Sequence, residues 1–194
     1  MTRALSLILA LSLTAFAQAQ GTPAATRQVD FSVFAGVTGI YTGLSQGRNA
    51  AITAGVDLNL PEIYRLRPAL EVRATYPFDR GSVDAQRGIL AGVRVETRYG
   101  RLHPYVDFLA GGGQITFVRP YVRFDSIILS SEGPSTVLSP GAGLRYDLTP
   151  RFSLIADAQF QRWNTAASLS GHLFAKPLTL GLTYTLVPHQ RHPR

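Results

Sequence analysis

Apolar residues recur at every second position through most of this chain. In residues 178–186, Leu178, Leu180, Leu182, Tyr184 and Leu186 fall on one face of an extended strand. Thr179, Gly181, Thr183 and Thr185 fall on the other. The same period of two marks segments near 29–41, 50–60, 66–76, 88–99, 102–117, 136–147, 152–163 and 177–187, and predicts eight strands. The connections between them alternate in length. Thr42–Asn49, Pro77–Arg87, Val118–Ser135 and Asn164–Lys176 run from eight to eighteen residues, whereas Pro61–Arg65, Gly100–Arg101 and Leu148–Arg151 run from two to five.

The two faces differ in kind. One carries Phe31, Val33, Ala35, Val37 and Tyr41 on the first strand, and Ile52, Ala54, Val56, Leu58 and Leu60 on the second. The fourth adds Ile89, Ala91, Val93, Val95 and Tyr99, the seventh Phe152, Leu154, Ala156, Ala158 and Phe160. Aromatics on this face gather at strand ends. An up-and-down order puts Phe31, Tyr99, Tyr146, Phe152 and Tyr184 at one rim and Tyr41, Tyr76 and Phe160 at the other, as two membrane-interface girdles.

The opposite face carries Asp30, Asp57, Arg67, Glu71, Arg73, Arg94, Glu96, Arg98, Asp107, Arg145 and Asp157, together with many glycines. A core lined with arginines and carboxylates and wrapped in leucine is consistent only with lipid as the outer solvent. The expected fold is therefore all-β: an eight-stranded antiparallel up-and-down transmembrane β-barrel. Eight strands enclose only enough room for side chains, so the near-balance of signs predicts an ion-paired, plugged lumen. Arg67, Glu71 and Arg73 on the third strand face Arg94, Glu96 and Arg98 on the fourth, and Glu96 with Arg73 is one expected pair. The glycines are expected to leave room for the arginines.

The amino terminus adds a route. Arg3, the apolar run Ala4–Ala17 and the Ala17-Gln18-Ala19 cleavage pattern read as a signal peptide over residues 1–19, with a short segment at 20–28, the barrel at 29–187 and a periplasmic tail at 188–194. With eight strands both termini of the mature chain are expected on the periplasmic side. Cleavage leaves about 175 residues, enough for one domain. The formal charge of +7 becomes +6 without Arg3, but the basic residues are scattered singly and no nucleic-acid motif is present. There is no cysteine for a disulfide, lipid anchor or thiolate site.

Three phrases carry a family resemblance: Asp30-Phe31-Ser32-Val33-Phe34-Ala35-Gly36, His103-Pro104-Tyr105-Val106, and Gly141-Ala142-Gly143-Leu144-Arg145-Tyr146-Asp147-Leu148-Thr149-Pro150. With them the chain resembles the small eight-stranded outer-membrane barrels of the OmpA/OmpX type across the whole region after the signal. The resemblance implies an outer-membrane β-barrel protein, and the sequence as a whole is expected to have no enzymatic activity, no cofactor and no metal. The resemblance also implies that Thr179, Gly181, Tyr184 and Leu186 form the C-terminal signal read by the barrel-assembly machinery. The remaining partner expectations are membrane lipid and a monomeric state.

Other chemistry is weaker. Gly43-Leu44-Ser45-Gln46-Gly47 matches the nucleophile-elbow pattern, which needs a helix after it, yet residues 48–54 alternate as a strand. Gly111-Gly112-Gly113 lacks the Lys-Ser/Thr of a phosphate loop. His103, His172, His189 and His192 do not converge in sequence. A lipid-modifying barrel enzyme would assemble His172 and Ser168 or Ser170 with Asp125 or Glu132 at the outer rim. A soluble lipocalin-like carrier would need the apolar face inside. The outer loops hold Arg48, Arg80, Arg87, Arg119, Arg123, Arg162 and Lys176 against Asp79, Asp84, Asp125 and Glu132, a surplus suited to lipopolysaccharide phosphates. The longest loop also carries apolar residues at 119–124 and 127–129, suited to a hairpin above the membrane or a contact patch.

Overall fold

Alternating strands whose two faces meet different solvents have one stable arrangement, a sheet closed on itself. The computed structural model describes residues 29–43, 47–79, 81, 84–117, 121–123, 126–128, 135–165 and 171–186. The signal segment 1–19, the segment 20–28 and the tail 188–194 lie outside the described residues. The strands are β1 (Asp30–Tyr41), β2 (Arg48–Asn59), β3 (Leu66–Asp79), β4 (Asp84–Thr97) and β5 (Leu102–Phe117). A small hairpin follows, β6 (Tyr121–Arg123) with β7 (Ser126–Ile128), and then β8 (Ser135–Asp147), β9 (Phe152–Gln159), β10 (Gln161–Asn164) and β11 (His172–Thr185).

Every ladder is antiparallel, and β11 pairs back onto β1 from Ser32 opposite Thr185 to Tyr41 opposite Lys176. The sheet has no free edge. β9 and β10 are two halves of one barrel strand, divided at Phe160. The Phe160 N–H reaches the Pro140 carbonyl at 2.9 Å, but Pro140 has no N–H to return. Eight strand positions thus close the wall.

Stepping across each ladder from Phe31 leads through Leu58, Leu70, Val93, Phe108 and Pro140 to Phe160, Lys176 and Tyr41, ten residues further along β1. With about 3.3 Å per residue and about 4.8 Å between strands, that offset sets a strand tilt of roughly 40°. At that tilt the rise from Phe31 to Tyr41 is about 25 Å, the height of an apolar membrane band.

Short turns join the strands at the Phe31 end. In Ile63–Leu66 both central residues, Tyr64 and Arg65, have positive φ (50° and 70°), the geometry of a two-residue hairpin turn whose twist matches its strands. At the other end the strands run further than apolar alternation indicates. β3 continues to Asp79, β4 starts at Asp84, β2 at Arg48 and β11 at His172. Outward Arg48 and Arg87 stand there beside Phe78 and Phe174, so the ladder persists where strict apolar alternation stops. In the long connection 118–135, residues 121–123 and 126–128 do form a hairpin.

A sheet with every strand paired on both sides unfolds with difficulty in detergent. The purified protein is expected to migrate differently on an unboiled detergent gel than after boiling. Identical migration with a helical circular dichroism spectrum would contradict the fold.

Candidate functional site

The interior is where this chain concentrates its chemistry, because inward side chains meet no lipid and must satisfy one another. Three zones stack along it. The order is visible on β4 alone, whose inward buried residues run Asp84 and Gln86, then Leu90, then Arg94 and Glu96.

The charged zone lies nearest the short turns. Arg73 sits among three carboxylates, with Nε 2.6 Å from Glu71 Oε1, Nη1 2.7 Å from Asp157 Oδ1 and Nη2 3.4 Å from Asp107 Oδ2. Arg94 joins Asp57 at 3.0 Å to Glu71 at 3.5 Å, so Glu71 links the two guanidiniums. Tyr105 donates to Asp157 at 2.9 Å, and its ring lies 5.1 Å from the Arg94 guanidinium carbon. The Gln159 amide donates to Asp107 at 3.0 Å. A second group holds Glu96 against Arg145 (2.6 Å) and His103 (3.0 Å), whose other ring nitrogen is 2.9 Å from Asp147. Arg67 pairs with Asp30. Between these charges and the next zone runs a hydroxyl ladder, Thr179–Thr38–Thr53–Thr75, at 2.9, 2.6 and 2.9 Å.

The middle zone is apolar. Ile40, Leu90, Leu109, Ile115, Val137, Trp163 and Leu173 form one buried cluster inside the barrel. A Cβ on Gly113 would strike the Trp163 ring, and one on Gly143 the Tyr105 ring. A cavity of about 10 Å³ lies beside Gln86, Leu90, Gln161 and Trp163, roughly one water's worth of space.

Beyond the apolar zone, at the mouth, Thr42, Asn49, Asp84 and Gln86 are buried together. The wall's outer surface is the reverse of this interior: Ile89, Val106, Leu178 and Leu180 are each 57–64% exposed.

No protein-family model matches the sequence, and no curated protein matches it at a significant level. Solved structures do. Neisserial surface protein A (NspA) superimposes with a TM-score of 0.55 at 16% identity, covering 79% of this chain and 96% of that one. The chain has the fold of a small, eight-stranded outer-membrane β-barrel. The resemblance to OmpA/OmpX-type barrels drawn from the sequence holds at the level of fold. The attachment invasion locus protein Ail of Yersinia pestis follows with a TM-score of 0.49 at 14% identity, covering 81% and 97%. The outer membrane enzyme PagL gives 0.44 at 17%, covering 80% and 98%.

Within this barrel, Asp30, Asp57, Glu71, Arg73, Arg94, Glu96, Asp107, Arg145 and Asp157 are buried, and Arg67 is half-buried. Arg98 is not among them. β4 ends at Thr97, and Arg98 is exposed at the turn, where its Nε donates to the Gly100 carbonyl at 3.3 Å. Nor do Arg73 and Glu96 pair. The register sets Arg73 opposite Leu90 and Glu96 opposite Arg67, and Glu96 turns to Arg145 and His103. With Arg98 outside, the six carboxylates of that set meet four guanidiniums.

His103 stands between Glu96 and Asp147, a role that spacing of the histidines did not reveal. The available signal was parity, since His103, Tyr105, Asp107 and Leu109 alternate inward on one strand. The glycines Gly55, Gly113 and Gly143 make room for Phe34, Trp163 and Tyr105, not for arginines.

At the short-turn rim Tyr99, Tyr146 and Phe152 are exposed, Phe31 and Tyr184 half-buried, and the Phe152 and Tyr184 rings lie 5.0 Å apart. At the opposite rim Tyr41, Tyr76 and Phe160 are exposed, joined by Phe78 and by Phe174, which stacks on Phe160 at 5.1 Å. Of the last strand's expected signal, Thr179 is in the lumenal hydroxyl ladder and Gly181 packs against the β1 backbone. Tyr184 and Leu186 face outward.

Arg48, Arg87, Arg162 and Lys176 are exposed at the long-loop end, with Arg48 and Lys176 flanking Tyr41 across its two ladders. Asp84, expected as a loop surface charge, is instead fully buried because β4 begins there and turns it inward. Arg80, Arg119, Asp125, Glu132, Ser168, Ser170, His189, His192 and the side chain of Arg123 lie outside the described residues. Residues 48–59 form a strand, so the helix that a nucleophile elbow needs does not follow Gly47, and Gly111–Gly113 lie within β5. The lipocalin-like arrangement fails because the leucines face outward.

Proposed function

We propose that this chain is an integral outer-membrane barrel with a plugged lumen, and that its role is structural or surface-interacting, not catalytic or conductive. One observation carries the reading, the inverted burial. Nine carboxylate and guanidinium residues of the predicted lumen set are sequestered, while leucine, isoleucine and valine cover the outside. In water that surface would aggregate; in a bilayer it is the low-energy state.

The partners follow from the two ends. Outer-leaflet lipid contacts the apolar band, and its phosphates meet Arg48, Lys176 and Arg162 beside Tyr41 and Phe160. The barrel-assembly machinery takes the last strand, β11, with Thr179, Gly181, Tyr184 and Leu186 as its signal. Both termini stand on the periplasmic side after removal of residues 1–19, and a closed wall with no free edge favours a monomer.

Two measurements test this reading. The protein should stay with the membrane pellet after carbonate extraction. Purified monomer in planar bilayers should give negligible ion conductance, because an apolar layer crosses the lumen. Release by carbonate would remove the membrane assignment, and a steady large conductance would replace the plug with porin-like transport.

A further inference from the structure

The charged and polar zones of the lumen differ in one respect. In the charged zone every carboxylate has a guanidinium or imidazole within reach. At the mouth, Asp84 has none among the described residues, although it is fully buried. Its Oδ1 accepts from the Thr42 hydroxyl at 2.7 Å, and its Oδ2 has no hydrogen-bond partner. The arginines of the charged zone are screened from it by Leu90, Ile40, Trp163 and the rest of the apolar layer. A buried carboxylate without a counter-charge is strongly unfavourable.

Two further oxygens beside it are in the same condition. The Gln86 amide nitrogen donates to the Thr42 carbonyl at 3.3 Å, and the Asn49 amide nitrogen donates to the Asp84 carbonyl at 3.3 Å. These bonds settle which end of each amide is oxygen. Gln86 Oε1 and Asn49 Oδ1 are then left buried and unpartnered, on side chains 1% and 6% exposed. Three acceptors without a hydrogen-bond partner and one negative charge thus sit on side chains that are linked through Thr42 and the Asp84 backbone.

We propose that this mouth cluster binds a hard divalent cation of the calcium class, held by Asp84, Gln86 and Asn49 with the Thr42 hydroxyl and water completing the shell. Oxygen-only, mostly neutral and irregular donors suit calcium, whereas magnesium demands a tighter octahedron and gives up its water reluctantly. A single carboxylate places the affinity in the 10⁻⁴–10⁻³ M class of extracellular sites. Thr42 follows β1, Asn49 lies on β2, and Asp84 and Gln86 begin β4. The ion would therefore pin the outer ends of three strands across the mouth and close the lumen above its apolar layer.

The chain has a single tryptophan, Trp163, which lines the small cavity that Gln86 also lines, so its fluorescence reports on this site. The protein, refolded into phosphatidylcholine vesicles to keep anionic headgroups from holding the ion, is stripped with a chelator and titrated with calcium chloride. Magnesium chloride and sodium chloride at matched ionic strength are the controls. Calcium should shift Trp163 emission in a saturable one-site curve and raise the unfolding midpoint by roughly 5 °C at saturation. Magnesium should do so at least tenfold more weakly, and sodium not at all. Asp84→Asn, which keeps the shape and removes the charge, should fold, lose the calcium response, and be more stable than the stripped parent. The same calcium response in parent and Asp84→Asn would overturn the site. So would no response in either, with both equally stable; that result would mean Asp84 is satisfied by a proton.

Discussion

Replacing Arg73 by methionine is expected to cost the barrel about 3–5 kcal/mol, the largest effect of any single lumen substitution. The guanidinium is the shared counter-charge of Glu71, Asp107 and Asp157. Methionine fills much of its volume, so the loss comes from three carboxylates left facing one another in a space closed by the apolar layer. Adding Asp157→Asn to that variant should recover part of the loss, since one of the stranded charges is removed. Adding Glu96→Gln should recover none, because Glu96 belongs to the separate Arg145–His103 group. Urea unfolding in lipid vesicles measures all three. Equal rescue by both second substitutions would mean that the lumen behaves as one delocalised pool of charge instead of two localised groups.

The second large effect is on the outside. Val93 is 52% exposed in the middle of β4, between Leu70 and Phe108 on its neighbours. Val93→Arg would place a guanidinium near the bilayer midplane, at a cost of roughly 2–4 kcal/mol. The matched lumen change, Thr183→Ser, keeps the hydroxyl and removes one buried methyl, which costs about 1 kcal/mol at most. The same vesicle assay compares the two. In detergent micelles, where the apolar layer is thin and deformable, the Val93→Arg penalty should shrink while the Arg73 penalty persists. A Val93→Arg variant as stable in vesicles as the parent would show that this face does not meet lipid.

Much of the wall was legible from residue order. Leu178, Leu180 and Leu182 alternate with Thr179, Gly181 and Thr183 because one face meets hydrocarbon and the other does not, and that contrast is written into nearest neighbours along the chain. Eight strands, their order and the sidedness of the charged residues follow from it. The strand ends at the mouth were less legible. At Asp79, Asp84 and His172 the ladder outlasts the lipid, and backbone hydrogen bonding leaves no hydrophobic trace.

The interior was legible as a set of residues and not as a set of contacts. Parity places Arg94 and Glu96 inside but says nothing of height, and Asp84, which looked like a loop charge, is inside only because β4 starts earlier than its apolar alternation does. Arg73 meets Asp157 across 84 positions of sequence. That meeting depends on a ten-residue offset accumulated over all the ladders, a property of the closed sheet and of no segment within it.

By itself, then, the order of residues determined the class of fold, the face that meets lipid and most of the charged residues that fill the lumen, because each rests on local alternation. Only the tertiary structure decided which charges pair, that an apolar layer divides them from the mouth, and that Asp84 is buried with no counter-charge among the described residues. Those outcomes depend on how far the strands slide past one another before the sheet closes, which hydrogen bonds and packing around the whole ring settle together.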